Sequence, residues 1–300
     1  MEQFNGQNII DFLKAFPDDG SCKHYLADLK WQDGFQCAKC GHESGHRRKD
    51  HGYFCYRCSH IESPTSGTLF HRVKFGLHKA FCIAFEMSTS SKGISSIQMG
   101  KRYGIRQGTA WFFMQKVRKA MESSQKWPLS ELVHVDEFVV GGYEEGKKGR
   151  SYNTNKTKVI VGVELNEKRG IKRAYAQVID DYSSKSFTPF FEQYISKDAR
   201  VVTDKWRGYS PLKKDYDITQ IPSGNGKNFK ELHLVIHQIK SWIRTIPTHA
   251  SKHHAKKYLD EFSFRLNRSQ FKQSIFHKTI ERMVKHKPLY QYQIIGNLSV

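Results

Sequence analysis

The spacing of apolar positions changes along the chain and divides it into regions with different predicted structures. In residues 1–20 apolar side chains recur at helical spacing and stop at a turn-forming stretch, 17–20, which predicts one helix and a turn. Residues 22–70 hold few long aliphatic side chains. Residues 71–125 return to helical spacing, and from residue 130 onward β-rich apolar runs alternate with helical patterns.

The region after residue 130 has the clearest pattern. Its runs predict strands at 132–140, 158–165, 173–179, 200–204 and 217–221, and helices at 184–195, about 229–246 and 251–267. The order is three strands, a helix, two strands and two helices. This is the order of a ribonuclease-H-like α/β domain, in which helices flank a mixed sheet.

The charge of the chain indicates its partner. Lysine and arginine number 49 against 29 aspartates and glutamates, so the net charge is +20. Such an excess in a folded protein favours nucleic acid, because no segment joins a basic face to the apolar face of a membrane-surface helix. No apolar run reaches the roughly 18 residues of a membrane helix, and the N-terminus lacks a secretory pattern. We expect a cytoplasmic, nucleoid-associated protein with no membrane partner.

Four of the six cysteines form two Cys-x-x-Cys pairs. The pairs are Cys37/Cys40 and Cys55/Cys58, with fourteen residues between them. This spacing predicts a zinc ribbon with one structural Zn²⁺ and a β-hairpin between the pairs. Redox motifs of this kind usually occur singly, which disfavours a redox site. The basic residues near the pairs suggest contact with DNA, although a solvated basic surface remains open; they are Lys39, Arg47, Arg48, Lys49 and Arg57.

Residues 93–119 have the outline of a helix-turn-helix. A short helix, a turn containing Gly104 and a longer basic helix from about Arg106 fit that motif, although a plain helical linker remains open. The polar side chains expected to contact DNA are Arg106, Gln107, Thr109, Lys116 and Arg118, together with Lys147, Lys148 and Arg150 of a later basic loop.

Two aspartates are the candidates for catalysis. Asp136 lies within the first predicted strand of the second half, and Asp204 ends the fourth. These strands are neighbours in the expected sheet, so the two carboxylates should lie side by side. Paired carboxylates suit Mg²⁺ or Mn²⁺, and two such ions activate an attacking oxygen and stabilise a leaving one. A solvent-facing strand acid and a turn residue are the alternatives for these two positions.

The helix after the fifth strand offers a third metal ligand. His233 and Lys240 are seven residues apart, so they share one helical face, with His237 on the same stripe. Glu231 points about 200° away from His233. We therefore expect His233 to face the metal and Lys240 to contact a DNA phosphate, whereas an ordinary surface histidine is the alternative.

These motifs together resemble the insertion-sequence transposases of family fifteen-ninety-five, which are related to eukaryotic Merlin elements. The resemblance covers nearly the whole chain and rests on the cysteine pairs, residues 67–70, 134–137, 141–142, 149–150, 203–209, 233–242 and 258–268. It implies a DDE-type catalytic domain that acts on terminal inverted repeats. In that superfamily the third position is commonly Glu followed seven residues later by Lys or Arg, and here it is His233 followed by Lys240.

The expected domains follow from these assignments. They are an N-terminal helix (1–21), a zinc ribbon (22–70), a helix-turn-helix-like domain (71–128), a ribonuclease-H-like catalytic domain (129–275) and a basic tail (276–300). We expect a bacterial DNA transposase that cleaves and joins strands with Mg²⁺ and acts as a homodimer or larger assembly on DNA. A nuclease of the same fold, a DNA-binding regulator and a catalytically decayed copy are the alternatives.

Overall fold

The computed structural model describes residues 3–90, 92–141, 145, 154–246 and 252–295. Residues 1–121 and 270–300 form one compact unit, and residues 122–269 form a second. The helices are α1 (Ile9–Ala15), α2 (Asp19–Lys30), α3 (Leu77–Thr89), α4 (Ser96–Tyr103), α5 (Gln107–Met121), α6 (Ser184–Tyr194), α7 (Lys230–Thr245), α8 (Lys252–Leu266), α9 (Ile275–Lys285) and α10 (Gln291–Ile295). The strands are β1 (Gly45–Arg47), β2 (Tyr53–Cys55), β3 (Ile61–Glu62), β4 (Leu132–Val140), β5 (Thr157–Leu165), β6 (Ile171–Ile179), β7 (Arg200–Thr203) and β8 (Asp217–Gln220).

The first unit contains a helix that the apolar pattern did not predict. Residues 17–20 were expected to be a turn, but Asp18 is the N-cap of α2 and accepts a hydrogen bond from the Ser21 amide at 2.7 Å. The Ser21 hydroxyl oxygen in turn accepts from the Asp18 amide, which completes a capping box. Residues 18–20 therefore form the start of α2, and the small sheet of the expected ribbon begins only at Gly45.

Aromatic side chains join the two ends of the chain in the core of this unit. Phe12 of α1 stacks on Phe85 of α3 with ring centroids 4.2 Å apart. Phe276 of α9 meets Phe12 edge-on at 5.3 Å and is fully buried. Residues 276–300 were expected to be a basic tail, and the structure corrects this because α9 buries one apolar face in the first unit.

The second unit is built on a five-stranded mixed sheet of order β6-β5-β4-β7-β8. β4 pairs antiparallel with β5, and β5 with β6, whereas β4–β7 and β7–β8 are parallel. The five predicted strands and three predicted helices are confirmed to within two residues at each end. β-branched residues are frequent in these strands, especially β4 and β5, in keeping with their preference for a pleated, half-buried surface.

Each face of this sheet packs against different helices. Val133 and Val135 belong to a core cluster with Phe187 and Phe191 of α6. Phe138 belongs to the cluster on the other face, where side chains of α7 and α8 cover the sheet. Because side chains alternate along a strand, Asp136 lies on the α7 side and the next residue lies on the α6 side.

Candidate functional site

The four predicted zinc ligands converge in the first unit. The Sγ atoms of Cys37, Cys40, Cys55 and Cys58 all lie within 4.8 Å of one another. Two of the sulfur–sulfur distances, Cys37–Cys58 and Cys40–Cys55, are 3.6 Å. A tetrahedral Zn²⁺ with bonds of 2.3 Å separates its sulfurs by about 3.8 Å, so the donor set fits structural zinc.

The two cysteine pairs have the same backbone geometry. The amide of Cys37 donates to the His42 carbonyl at 2.9 Å, and the amide of Cys55 donates to the His60 carbonyl at 3.0 Å. β1 and β2 pair antiparallel between the two turns, which confirms the predicted hairpin. Matched turns of this kind hold both thiol pairs towards one point.

Asp136 and Asp204 occupy neighbouring positions on parallel strands. The last register pair of β4 and β7 is Val135 with Thr203, so the two aspartates follow directly at the end of β7. Adjacent strands lie about 4.8 Å apart. The Asp136 carboxylate accepts a hydrogen bond from the Glu137 amide through Oδ1, at 2.8 Å.

The loop after β7 is held by a residue that the sequence did not single out. Gln220, at the end of β8, donates through Nε2 to the carbonyls of Asp204 and Trp206 at 3.0 and 2.9 Å. Asp204 also accepts from the Trp206 amide at 2.9 Å through Oδ1. The strand register places Gln220 opposite Thr203, and only the β7–β8 pairing would have revealed this role.

His233 of α7 lies beside Asp136. Its Nε2 is 4.0 Å from Oδ2 of Asp136, and the imidazole is 44% exposed. Gly226, which has φ of +84°, also lies beside this imidazole, and a Cβ built there would be 3.4 Å from Nε2. The glycine therefore leaves the imidazole edge open.

Lys240 faces the same side of the sheet two turns further along α7. Its Nζ lies 5.5 Å from the centre of the Phe138 ring. Phe138 is two residues after Asp136 in β4, so the two side chains share one face of the sheet. Burial lowers the pKa of Lys240, Arg244 lowers it further, and the Asp136 carboxylate opposes this change. The structure thus brings Asp136, His233 and Lys240 to one face, with Asp204 at the adjoining strand end.

Glu137 faces away from this site. It lies on the α6 side of β4, is 8% exposed, and accepts a hydrogen bond from the phenolic hydroxyl of Tyr209. Burial raises the pKa of Tyr209 well above its usual value, and the carboxylates of Glu137 and Asp136 add to the effect. Glu137 is therefore a neighbour of the site in sequence and lies beneath it in space.

The carboxylate site is more open than the cysteine site. Within the described part of the chain, the four cysteines form the only group of three or more metal-ligating side chains whose donor atoms all lie within 4.8 Å. The donor atoms of Asp136, Asp204 and His233 are thus more widely spread. Two ions about 3.5–4 Å apart need ligands more widely spread than one ion does, and carboxylate oxygen is the ligand that Mg²⁺ prefers.

Models of known protein families match two regions of the chain. An ISXO2-like transposase domain model matches residues 128–267, and a transposase zinc-ribbon domain model matches residues 17–61. The chain carries the transposase domain and the zinc ribbon of the IS1595 family. The chain is also similar to a protein of the transposable element ISH50 of Halobacterium salinarum, described as uncharacterized. The two are 23% identical over 235 residues, which cover 72% of this chain and 78% of that protein.

The residues expected to contact DNA differ in solvent exposure where the structure describes them. Arg106, Gln107 and Thr109 are exposed at the start of α5. Lys116 and Arg118 are 4% and 1% exposed, so the expectation that they reach DNA is corrected. Lys116 donates instead to the His71 carbonyl at 3.1 Å, and burial lowers the pKa of Lys116 to about 8. The other three expected contacts, Lys147, Lys148 and Arg150, lie outside the described residues.

Within the part of the chain that the structure describes, no helix has the length and apolar character needed to span a bilayer.

Proposed function

We propose that this transposase binds the terminal inverted repeats of its insertion sequence and catalyses metal-dependent DNA cleavage and strand transfer. The observation that carries the proposal is the parallel register of β4 and β7, which puts Asp136 and Asp204 next to each other. The position of His233, 4.0 Å from Asp136, supports a third ligand there. The order of elements and the sheet order support a ribonuclease-H-like arrangement.

Asp136, Asp204 and His233 would hold the catalytic metal. Bound Mg²⁺ or Mn²⁺ supplies activation of the attacking oxygen and stabilisation of the leaving oxygen. The two carboxylates provide negative charge for divalent ions, whereas the imidazole adds a neutral donor. His233, the third proposed metal ligand, therefore contributes one negative charge less than the Glu that is common at this position in related enzymes.

Lys240 and the fixed loop after β7 complete the catalytic arrangement. The ammonium group of Lys240, partly buried over the Phe138 ring, orients a phosphate near the scissile bond. Gln220 holds the backbone on both sides of Lys205, so Asp204 keeps its position when DNA enters. Phosphoryl transfer depends mainly on such positioning and on neutralising charge.

The first unit would bind the DNA ends. α4 and α5 are joined by a tight turn with Gly104 at φ of +59°, which supports a helix-turn-helix. This arrangement leaves Arg106, Gln107 and Thr109 exposed at the start of its second helix. The zinc ribbon adds basic residues, and a net charge of +20 favours phosphate contacts. Two DNA ends must meet during transposition, so we expect a homodimer or larger assembly.

The test uses purified zinc-containing protein and labelled DNA that carries the element's own ends, with Mg²⁺ or Mn²⁺. The wild type is expected to give nicked and joined products. Asp136→Ala and Asp204→Ala are expected to bind the ends normally but to give neither product. Asp217→Ala is the matched control, because this acid is exposed in the same sheet at the start of β8, and it should retain activity.

The outcomes separate the alternatives. Free ends without joined strands would indicate a nuclease of the same fold. Binding without cleavage under both metals would indicate a regulator or a decayed copy. Loss of end binding in Asp136→Ala would make that residue structural and would remove the main support for the proposed site.

A further inference from the structure

The two faces of the zinc-ribbon hairpin have different surroundings. On the inner face, Tyr53 stacks on Phe35 with centroids 4.4 Å apart and also meets Trp31. Arg47, on the same inner face, bonds to the carboxylate of Asp28 in α2. Core contacts and an ion pair therefore hold this face against the rest of the first unit.

The outer face presents aromatic and apolar side chains to solvent. His46, Phe54 and Ile61 lie directly opposite one another on β1, β2 and β3, so they share one face. The rings of His46 and Phe54 are 5.3 Å apart, and the ring of Tyr56 is 5.5 Å from His46. Tyr56 is 58% exposed and Ile61 48%. We call these four residues the outer aromatic face.

Positive charge borders the outer aromatic face. Lys39, Arg48, Lys49 and Arg57 are exposed within residues 36–61, against two exposed acids in that stretch, Glu43 and Asp50. Asp50 is already paired with Arg48 at 3.3 Å. Residues 46–50 line a shallow concavity at the tip of the hairpin, so the His46 ring joins the aromatic surface to these cations.

We propose that the outer aromatic face binds an unpaired stretch of a DNA strand, with bases stacked on Tyr56 and His46 and a phosphate in the concavity. This inference rests on the proposed function, since it specifies which form of DNA the ribbon binds. Bases in a duplex bury their flat faces against one another, whereas unpaired bases expose them to aromatic side chains. An aromatic surface bordered by cations is the combination that binds single strands with little sequence preference.

A second copy of the chain is a poorer occupant of this face. Each copy carries a net charge of +20, and the cations around the face would approach those of the partner. Like charges brought together at an interface oppose association. A DNA strand supplies both flat apolar rings and negative charge to the same surface.

The experiment measures the affinity of the full-length, zinc-containing protein by fluorescence anisotropy. The probes are an oligothymidine, the terminal-repeat duplex, and the same duplex with a short single-stranded gap. The variants are Tyr56→Ala, His46→Ala and Tyr56→Phe. Phe271→Ala is the matched control, since Phe271 is an aromatic residue with 69% exposure outside the ribbon. Zinc content and thermal unfolding are checked for each variant, because Tyr56 lies between two zinc ligands.

We expect Tyr56→Ala and His46→Ala to weaken oligothymidine binding at least about 5-fold each. Affinity for the duplex should change by less than about 2-fold, because paired bases do not stack on these side chains. Tyr56→Phe and Phe271→Ala should bind oligothymidine like the wild type. A 2-aminopurine base placed in the gap should be quenched by the wild type and less by Tyr56→Ala.

Several outcomes would overturn the proposal. Equal oligothymidine binding by wild type and Tyr56→Ala, with normal zinc content, would show that no base stacks there. A change in oligomer mass in Tyr56→Ala without a change in DNA affinity would assign the face to a second copy. If the wild type binds the duplex ends but not the single strand, this inference fails alone. If it binds neither, the proposed function fails as well.

Discussion

The phenolic hydroxyl of Tyr209 donates a hydrogen bond to the carboxylate of Glu137, on the face of the sheet opposite Asp136. The backbone amide of Glu137 donates to Asp136 at 2.8 Å. A buried tyrosine on one side of β4 thus fixes the residue whose amide orients the candidate catalytic carboxylate on the other side.

Tyr209→Phe should lower the free energy of unfolding by about 1–3 kcal/mol, because a buried carboxylate loses a hydrogen bond. The effect should depend on pH. Burial raises the pKa of Tyr209 well above 10, so above pH 10 the tyrosine ionises in the unfolded chain while it stays neutral in the fold. The stability that Tyr209 provides is then present below pH 10 and decreases above it. Urea unfolding at pH 7 and pH 10.5 measures both effects.

Tyr216→Phe is the control for this prediction. Tyr216 packs in the same core cluster, and its hydroxyl has no hydrogen-bond partner among the described residues. Removing that hydroxyl should leave stability unchanged or raise it slightly. Equal losses of stability in Tyr209→Phe and Tyr216→Phe would mean that the hydrogen bond to Glu137 does not stabilise the fold.

Gly226→Ala should reduce DNA cleavage by about 10- to 100-fold, because the added methyl group would occupy space next to a proposed metal ligand. The added methyl group would lie against Nε2 of His233, the atom proposed to hold metal. Gly224→Ala is a matched variant, because Gly224 also has positive φ in this loop but its Cβ would meet Asn228. Both changes introduce backbone strain, so only Gly226→Ala should lower cleavage beyond its effect on stability. Similar rates for the two would remove His233 from the site.

Removal of zinc should unfold the ribbon, because so small a domain depends on its metal. We expect one zinc per chain, and a strong chelator should lower the melting temperature of the protein. Cys58→Ala should lose the metal, whereas Cys82→Ala should keep it, since Cys82 lies in α3 outside the cluster. Metal analysis of both variants is the check, and equal zinc content would contradict the four-cysteine site.

Phe276→Ala should destabilise the first unit by about 3–5 kcal/mol, the usual loss for a buried phenylalanine. Its ring is fully buried and contacts Phe12 and Phe81. Phe271→Ala, at an exposed position just before α9, should change stability by no more than about 0.5 kcal/mol. Calorimetry that follows the unfolding transition of the first unit compares them, and equal transitions would mean that α9 is not part of its core.

Lys116→Met should stabilise the protein at pH 7 and leave affinity for terminal-repeat DNA unchanged. Burial lowers the pKa of Lys116 from 10.5 to about 8. At pH 7 the Lys116 side chain is therefore still charged in the fold, and burying that charge costs stability. Between pH 8 and 10.5 the unfolded chain holds the extra proton, so wild-type stability rises with pH and the advantage of the variant shrinks. Lys101→Met, at an exposed lysine of α4, should have no such effect on stability. Weaker DNA binding by Lys116→Met would restore its role as a DNA contact.

The sequence was sufficient to predict the elements of the second unit. β4 and β5 are long, largely apolar runs rich in β-branched residues, so local preference and final structure agree there. The sequence also located the four cysteines, because their spacing reflects the geometry of a single ion. The positions of Asp136 and Asp204 next to each other followed once the strand order was assumed.

Features that depend on distant contacts were not predictable in the same way. α9 contains several basic residues, so its sequence was interpreted as a tail although one of its faces is apolar and buried. The contact of Phe276 with Phe12 joins distant parts of the chain and cannot be predicted from the local sequence. Lys116 and Arg118 were expected to face DNA because charged helix residues are usually exposed, but the first unit buries them. Asp18 was expected to form a turn, although a turn residue and a helix cap use the same side-chain hydrogen bond.

The contribution of α9 to the first unit also constrains how the protein is made. Synthesis proceeds from the N-terminus, so Phe276 leaves the ribosome only after residues 122–269 have been produced. The second unit can fold while the chain is still growing, whereas the core of the first unit lacks the contacts of Phe12 and Phe85 with Phe276 until α9 has been made. Translation that stops shortly before α9 would yield a chain with an intact sheet and an incomplete zinc-binding unit. The proposed DNA-binding unit would then be completed last, after the unit that carries the candidate catalytic site.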